Sequence, residues 1–412
     1  MNVNTRKQGD PLNRNYMSLP LKDIRVLEFT HAVMGPTTGL LLADMGAEVI
    51  HVEPIQGDET RRLKGMGTGY FSFFNRNKKS LAIDLKHPEG KQLIYRMIPQ
   101  VDVVVENFGP GTMERLGFGY ETLKAINPAL VFCSLKGFLP GPYEKRHAMD
   151  EVVQMMGGLA YMTGRPGDPL RAGTSVIDIT GGMFGFIAIL LALYERNATG
   201  MGKEVKASLF ETTAFLMGQH MAYGAITRTP VPPMPSRVSA WSIYRIFRTH
   251  DDDSVFIGII SEKHWQRFCE VFGWDDWLKD ERLTNNNARI DAREWFLPML
   301  ETRLSAFTKA EIVRRCEEAS IPFAPIARPE DLFDDPQLNA GGSLLPTALP
   351  DGSLTKLPAT PIDYGGERPK KRMDPPETGA HTREILMSFG VSETEIEELS
   401  NRNIIHPAKT TD

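Results

Sequence analysis

The stretch DIRVLEFTHAVMGPTTGLLLADMGAEVIHVE, residues 23–53, decides the fold class. Residues 24–29 and 48–53 are short apolar runs of strand length. Between them Gly35-Pro36 opens a turn, Pro36 suits the first position of a helix over 37–45, and Gly46 ends that helix. Strand, helix and strand in this order form a βαβ unit, which implies parallel strands joined by a crossover helix. The turn after the first strand, 30–36, is not GxGxxG, so a dinucleotide site is not expected there. His31 within it reads as a turn or packing residue rather than a base.

The same alternation continues outward. Strands are expected at 80–84, 101–106 and 131–135, with helices at 86–98, 112–116 and 120–126. The loop Asn107-Phe108-Gly109-Pro110-Gly111 follows a strand's carboxyl end, where open α/β sheets bind ligands. Lys86, Arg115 and Lys136 lie at comparable places, suited to a phosphorylated ligand. Residues 134–164, SLKGFLPGPYEKRHAMDEVVQMMGGLAYMTG, read as a strand end, a Gly/Pro loop carrying Lys145, Arg146 and His147, and a helix from Asp150. An aspartate in a first helical turn is favoured as a cap. Beside an open loop it also has the makings of a nucleophile. Local sequence leaves both readings open.

Further on, 174–178 is strand-like and ends in Asp178, and a core helix is expected at 182–196. A strand at 204–208 and a helix at 209–223 follow. Four prolines in TRTPVPPMPS, 227–236, mark a linker. A hairpin at 244–248 and 254–260, with helices at 262–272, 287–304 and 309–319, reads as a small α+β domain. Strand returns at 322–326, and the last helix covers 393–399. The expected division is a tail at 1–20, a large domain beginning at 21–226, the linker 227–236 and a small domain at 237–320. Residues 321–412 return to complete the large domain.

Composition narrows the classes. The 412 residues carry 47 Lys and Arg against 52 Asp and Glu, a net charge of −5 without the basic excess a nucleic-acid binder needs. Cys133, Cys269 and Cys316 are too far apart for a CxxC or metal pattern, so reduced thiols, no metal and a cytoplasmic location are expected. The apolar run 183–194 reads as a buried core helix too short to span a bilayer, so no membrane partner is expected.

Several stretches resemble the family III CoA transferases, the formyl-CoA transferase and carnitine CoA-transferase group. They are VLEFTHAVMGPTTGLLLADMGAEVIHVE, FFNRNKKSLAIDLKHPEGKQL, VENFGPGTMERLGFGYETLKAINP, SLKGF, MDEVVQMMGG and GAHTREILMSFG, spanning nearly the whole chain after residue 20. The resemblance implies a Rossmann-like large domain with a parallel sheet built from both chain ends, a small domain between them, and an interlocked homodimer. It makes Asp150 the nucleophile, and Ala32, Val33, Met34, Ile83, Lys86, Asn107, Phe108, Arg115 and Lys136 the contacts of coenzyme A. It implies transfer of CoA from an acyl-CoA donor, succinyl-CoA by family habit, to a carboxylic acid acceptor. The route runs through aspartyl anhydrides and an aspartyl-CoA thioester, with no permanently bound cofactor. The amides of Gly157 and Gly158 are placed by sequence proximity as oxyanion donors.

The chain departs from formyl-CoA transferase at Val33, where that enzyme has glutamine, and at Pro54, where it has arginine. Residues 228–245 also lack its glycine-rich loop. A larger acceptor than formate or oxalate is therefore expected, with Arg237, Trp241 and Tyr244 shaping its pocket and Arg237 suited to a second carboxylate. The runner-up is an α-methylacyl-CoA racemase of the same fold. It needs a histidine before the aspartate, where this chain has Met149, with His147 two positions off; Asp178 would be the second acid. A non-catalytic CoA-binding subunit is the third reading, and the presence of Asp150 argues against it.

Overall fold

The computed structural model describes residues 19–237 and 239–406; the tail expected at 1–20 lies outside these except for its last two residues. Contacts divide the chain into a larger unit, Met1–Pro235 with Gly341–Asp412, and a smaller one, Ser236–Ala340.

The larger unit is built on six strands: β1 Arg25–Phe29, β2 Glu48–Glu53, β3 Lys78–Ala82, β4 Val103–Glu106, β5 Val131–Lys136 and β6 Glu204–Ser208. All pair in parallel, in the order β3-β2-β1-β4-β5-β6. Period-two alternation gives the sheet two apolar faces. Leu27, Phe29, Ile50, Val52, Leu81 and Phe132 face one core, and Val26, Val49, Val103, Val131 and Cys133 face the other. The C-terminal segment seals the first face with Ile385, Leu386, Ile396 and Leu399. It also docks by backbone bonds, Asp84 N–H to Ile404 at 2.8 Å and His406 N–H to Ala82 at 3.0 Å.

The helix after β1 runs over Met34–Asp44, so Pro36 is its third residue rather than its first. The missing N–H costs nothing there, because the first four helical amides have no partner within the helix. The strand expected at 174–178 is not a strand. Those residues lead into one helix, Val176–Thr199, of 24 residues. Gly182 and Gly185, within that helix, allow close approach. A Cβ on Gly182 would lie 2.6 Å from the Met34 carbonyl, and one on Gly185 2.6 Å from Leu135. By length and composition this helix is sufficient to cross a membrane, which corrects the expectation of a run too short to span. Its buried side holds Ile177, Ile189 and Leu193, while Met183, Ile187, Leu191 and Tyr194 form an exposed stripe.

The second core face changes character toward the carboxyl ends of β1–β3. Glu28, His51, Glu53, Lys78 and Ser80, all buried, take the alternate positions there. Lys78 Nζ donates to Glu28 Oε1 at 2.9 Å, His51 Nδ1 meets Glu28 Oε2 at 3.1 Å, and His51 Nε2 stands 3.4 Å from Asp58. Arg61 pairs with Glu53 at 2.6 Å. The cluster is charge-balanced: Glu28, Glu53 and Asp58 against His51, Lys78 and Arg61. Burial works against a charged imidazole, but Asp58 and Glu28 outweigh it and hold His51 at about 9. Asp58, which burial alone would raise, is brought down to about 2 by His51.

The smaller unit has an antiparallel sheet of β7 Ile243–Arg248, β8 Ser254–Ile259 and β9 Phe323–Pro325, in the order β7-β8-β9. The return strand expected at 322–326 thus pairs inside this unit, which runs on to Ala340. Its core is aromatic, with Trp265 stacked on Trp277 and Phe296 packed edge-on against both. The helix expected at 287–304 is broken at Ala292 into Asn286–Asp291 and Arg293–Leu304. Arg237, Trp241 and Tyr244 belong to this unit, and Tyr244 packs edge-on against Phe256. A two-stranded hairpin in the larger unit, β10 Leu344–Ala348 with β11 Leu354–Pro358, had not been expected.

Candidate active site

Two cavities lie in the larger unit, at the carboxyl ends of its strands, where an open parallel sheet places ligands. One, of about 480 Å³, is lined by Ala32, Val33, Met34, Asn107, Phe108, Lys136 and Asp150, with His31, Tyr70, Arg146, His147, Arg171 and Asp178. The other, of about 590 Å³, includes Ile83, Lys86, Pro54, Thr112 and Leu116. Phe108 and Gly109 line both. The fold therefore gathers Asp150 and every residue expected to contact coenzyme A along these two cavities, except Arg115; Gly157, Gly158, Arg237, Trp241 and Tyr244 line neither. Arg115 is exposed and binds back to Pro110 and Thr112, which line one cavity each.

The first wall is the turn after β1. Ala32 has φ of 61°, and its N–H is held by Thr60 Oγ1 at 3.0 Å. Thr60 in turn donates to Asp58 of the buried ionic cluster. Asn107 clamps the same turn, accepting from His31 N–H at 3.0 Å and donating to its carbonyl at 2.9 Å. The reading of His31 as a turn residue agrees with this geometry; its ring stacks on Phe108. Lys136 is spoken for: its ammonium lies 2.7 Å from Glu106 and donates to the Phe108 carbonyl at 2.8 Å. Burial keeps the Glu106 carboxyl above the usual range despite Lys136.

Asp150 begins the helix Asp150–Met156 and is 6 % exposed. Its carboxylate does cap a helix, though not its own. Oδ2 accepts the backbone N–H groups of Ile177 at 2.8 Å and Asp178 at 3.2 Å, at the N-terminus of Val176–Thr199. Ser175, the residue in the capping position there, supplies no side-chain bond. Oδ1 accepts from Gln154 Nε2 at 2.5 Å and stands 3.5 Å from Arg171 Nη2. These amides displace the expected donors. Gly157 and Gly158 lie at the far end of the Asp150 helix, and Gly157 N–H is bonded to Val153.

Asp178 and Glu151 add two further carboxyls to this cavity. Burial, then the charge of Asp150, push Asp178 up to about 7, with Arg171 opposing. Gln154 was not foreseen, although it sits four residues after Asp150, a spacing that puts both on one helix face. Arg171 arrives through a chain reversal and has no local signal. Among the described residues no group of histidines, cysteines and carboxylates is arranged to hold a metal ion.

The model of CoA-transferase family III matches residues 21–382. The chain is 32% identical over 381 residues to a succinate–glutarate CoA-transferase of Agrobacterium fabrum, covering 89% of this chain and 95% of that one. It is 32% identical over 421 residues to a formyl-CoA:oxalate CoA-transferase of Rhodopseudomonas palustris, covering 95% and 99%. A crystal structure of a CAIB/BAIF family protein from Brucella suis superposes with a TM-score of 0.80 at 31% identity, over 90% of this chain and 100% of that one.

Proposed function

The chain belongs to CoA-transferase family III, and on that premise we propose that Asp150 is the nucleophile that carries acyl groups and CoA between a donor thioester and an acceptor acid. The observation that carries this is the unequal treatment of its two oxygens. Oδ2 is fixed by two amides, while Oδ1 faces the side-chain donors Gln154 and Arg171. Oδ1 attacks the donor carbonyl; a C–O bond forms, the C–S bond breaks, and CoA thiolate leaves with the electron pair. The thiolate then attacks the Asp150 γ-carbon, releases the donor's acid and leaves an aspartyl-CoA thioester. The acceptor carboxylate displaces that thiolate to give a second anhydride. Thiolate attack on the acceptor's carbonyl yields the new acyl-CoA and restores Asp150.

In both attacks on the γ-carbon, negative charge develops on Oδ2, which already faces two N–H groups at a helix N-terminus. Donors fixed before reaction are worth about 3–4 kcal/mol at an oxyanion. Thioester and anhydride are of similar energy, so the cycle needs no ATP. CoA is assigned to the two adjoining cavities, its phosphates near Lys86 and its pantetheine arm passing Phe108 toward Asp150. One relative's name pairs two dicarboxylic acids, succinate and glutarate, and another's pairs formyl-CoA with oxalate; the departures at Val33 and Pro54 disfavour the smallest acids, so succinyl-CoA and an acceptor longer than oxalate are the proposed substrates. The exposed stripe Met183, Ile187, Leu191 and Tyr194 supports a homodimer, for which sedimentation should find two 46.1 kDa chains; a single chain would refute it.

The test is acyl exchange followed by mass spectrometry. Protein is incubated with succinyl-CoA or acetyl-CoA and a panel of mono- and dicarboxylic acids, with Asp150→Asn in parallel. A new acyl-CoA absent from the variant supports the reading. Deuterium uptake at the α-carbon of a 2-methylacyl-CoA, without exchange, would replace it by the racemase.

A further inference from the structure

Arg171 lies in the irregular stretch between the helices Leu159–Thr163 and Val176–Thr199, and its guanidinium spans two carboxylates. One terminal nitrogen pairs with Glu151, which is exposed; the other stands 3.5 Å from Oδ1 of Asp150. The stretch is anchored to the nucleophile itself. Gln154, fully buried, donates to Asp150 Oδ1 at 2.5 Å and accepts the Ala172 N–H at 2.8 Å, so one amide sets the spacing between the two. Among the described residues Arg171 is the one cation within ion-pair distance of Asp150.

The charge on Asp150 changes through the cycle. It is an anion in the free enzyme and neutral as an anhydride or a thioester. Each time it becomes neutral, Arg171 loses a partner. At the thioester stage the next reactant is itself a carboxylate, and it must reach the γ-carbon beside Asp178 and Glu151. Two like charges 4 Å apart repel by about 4 kcal/mol at an effective dielectric of 20. The terminal nitrogen that faced Asp150 is released at that moment, while the other stays with Glu151, and this nitrogen offers the incoming carboxylate a charged donor that opposes the repulsion.

We propose that Arg171 receives the acceptor's carboxylate, being engaged by Asp150 in the free enzyme and released to the acceptor once Asp150 is acylated. The inference rests on the transferase reading above and adds to it the residue that receives the acceptor. The step is balanced without a proton or an oxidant. The acceptor oxygen forms a bond to the γ-carbon, the C–S bond breaks, and CoA leaves as thiolate. When the anhydride is resolved, Asp150 recovers its charge and Arg171 returns to it.

The test separates the half-reactions. Wild type, Arg171→Gln and Arg171→Lys are mixed with succinyl-CoA alone, and the CoA adduct on the protein is followed by quenched-flow mass spectrometry. Glutarate is then added and decay of the adduct is measured against its concentration. Arg171→Gln should raise the glutarate needed for decay of the adduct by at least about tenfold more than it slows formation of the adduct, the worth of 1.4 kcal/mol. Arg171→Lys should recover part of the loss. Equal losses in both half-reactions, or no loss in either, would overturn the proposal while leaving the transferase reading intact. Failure of the wild type to form any adduct would overturn both.

Discussion

At Asp150 the observed capping role and the chemical role proposed above fall on the same carboxylate. Sequence alone left cap and nucleophile as alternatives; the structure shows capping across a chain reversal, which local sequence cannot register. A neighbouring carboxyl makes the clearest pH prediction. Asp178 sits at about 7 and faces Asp150 and Arg171, with Glu151, His147 and Arg146 around the same cavity. Its raised value means it is neutral at lower pH and becomes an anion as pH rises through about 7. The new charge repels an incoming carboxylate. The acceptor meets Asp178 when Asp150 is acylated and uncharged, which removes one of the two causes that raise it, so kcat/KM for the acceptor should fall with rising pH along a limb below that of the free enzyme. Asp178→Asn, neutral throughout, should hold the low-pH rate into alkaline solution. A variant with the same alkaline limb as wild type would remove Asp178 from the account.

At the scale of elements, the strands were legible because their apolar alternation is strong, and β1 to β6 lie close to where periodicity puts them. The ionic cluster within β1–β3 was not legible. Glu28, His51, Glu53 and Lys78 at alternate positions look like the solvated face of a half-exposed strand, and only tertiary burial turns them into partners. Glu28→Gln leaves Lys78 with only the neutral acceptors of Pro36 and Asn75, and His51 with Asp58, at a cost of about 3–5 kcal/mol by urea unfolding. Because the folded His51 is raised from 6.5 to about 9, its contribution is complete below 6.5 and is lost as pH rises through 9. Thermal stability should therefore decline across that window. A Glu28→Gln protein as stable as wild type would refute the cluster's role. The misreading at 174–178 has a different cause: Thr174, Val176 and Ile177 are β-branched and suit a strand, yet Val176 and Ile177 open the long helix.

For the whole molecule, the parallel α/β class and the cavities at the strands' carboxyl ends followed from the βαβ units. The six-stranded order, the C-terminal seal and the reach of the smaller unit to Ala340 depend on long-range pairing that no single stretch encodes. The central claim is that Asp150 becomes covalently bonded during transfer. Its most direct test is peptide mapping of protein quenched after exposure to succinyl-CoA. An aspartyl-CoA thioester on the peptide bearing Asp150, absent from Asp150→Asn, is the predicted result. Acyl exchange proceeding with that peptide unmodified at every quench time would contradict it.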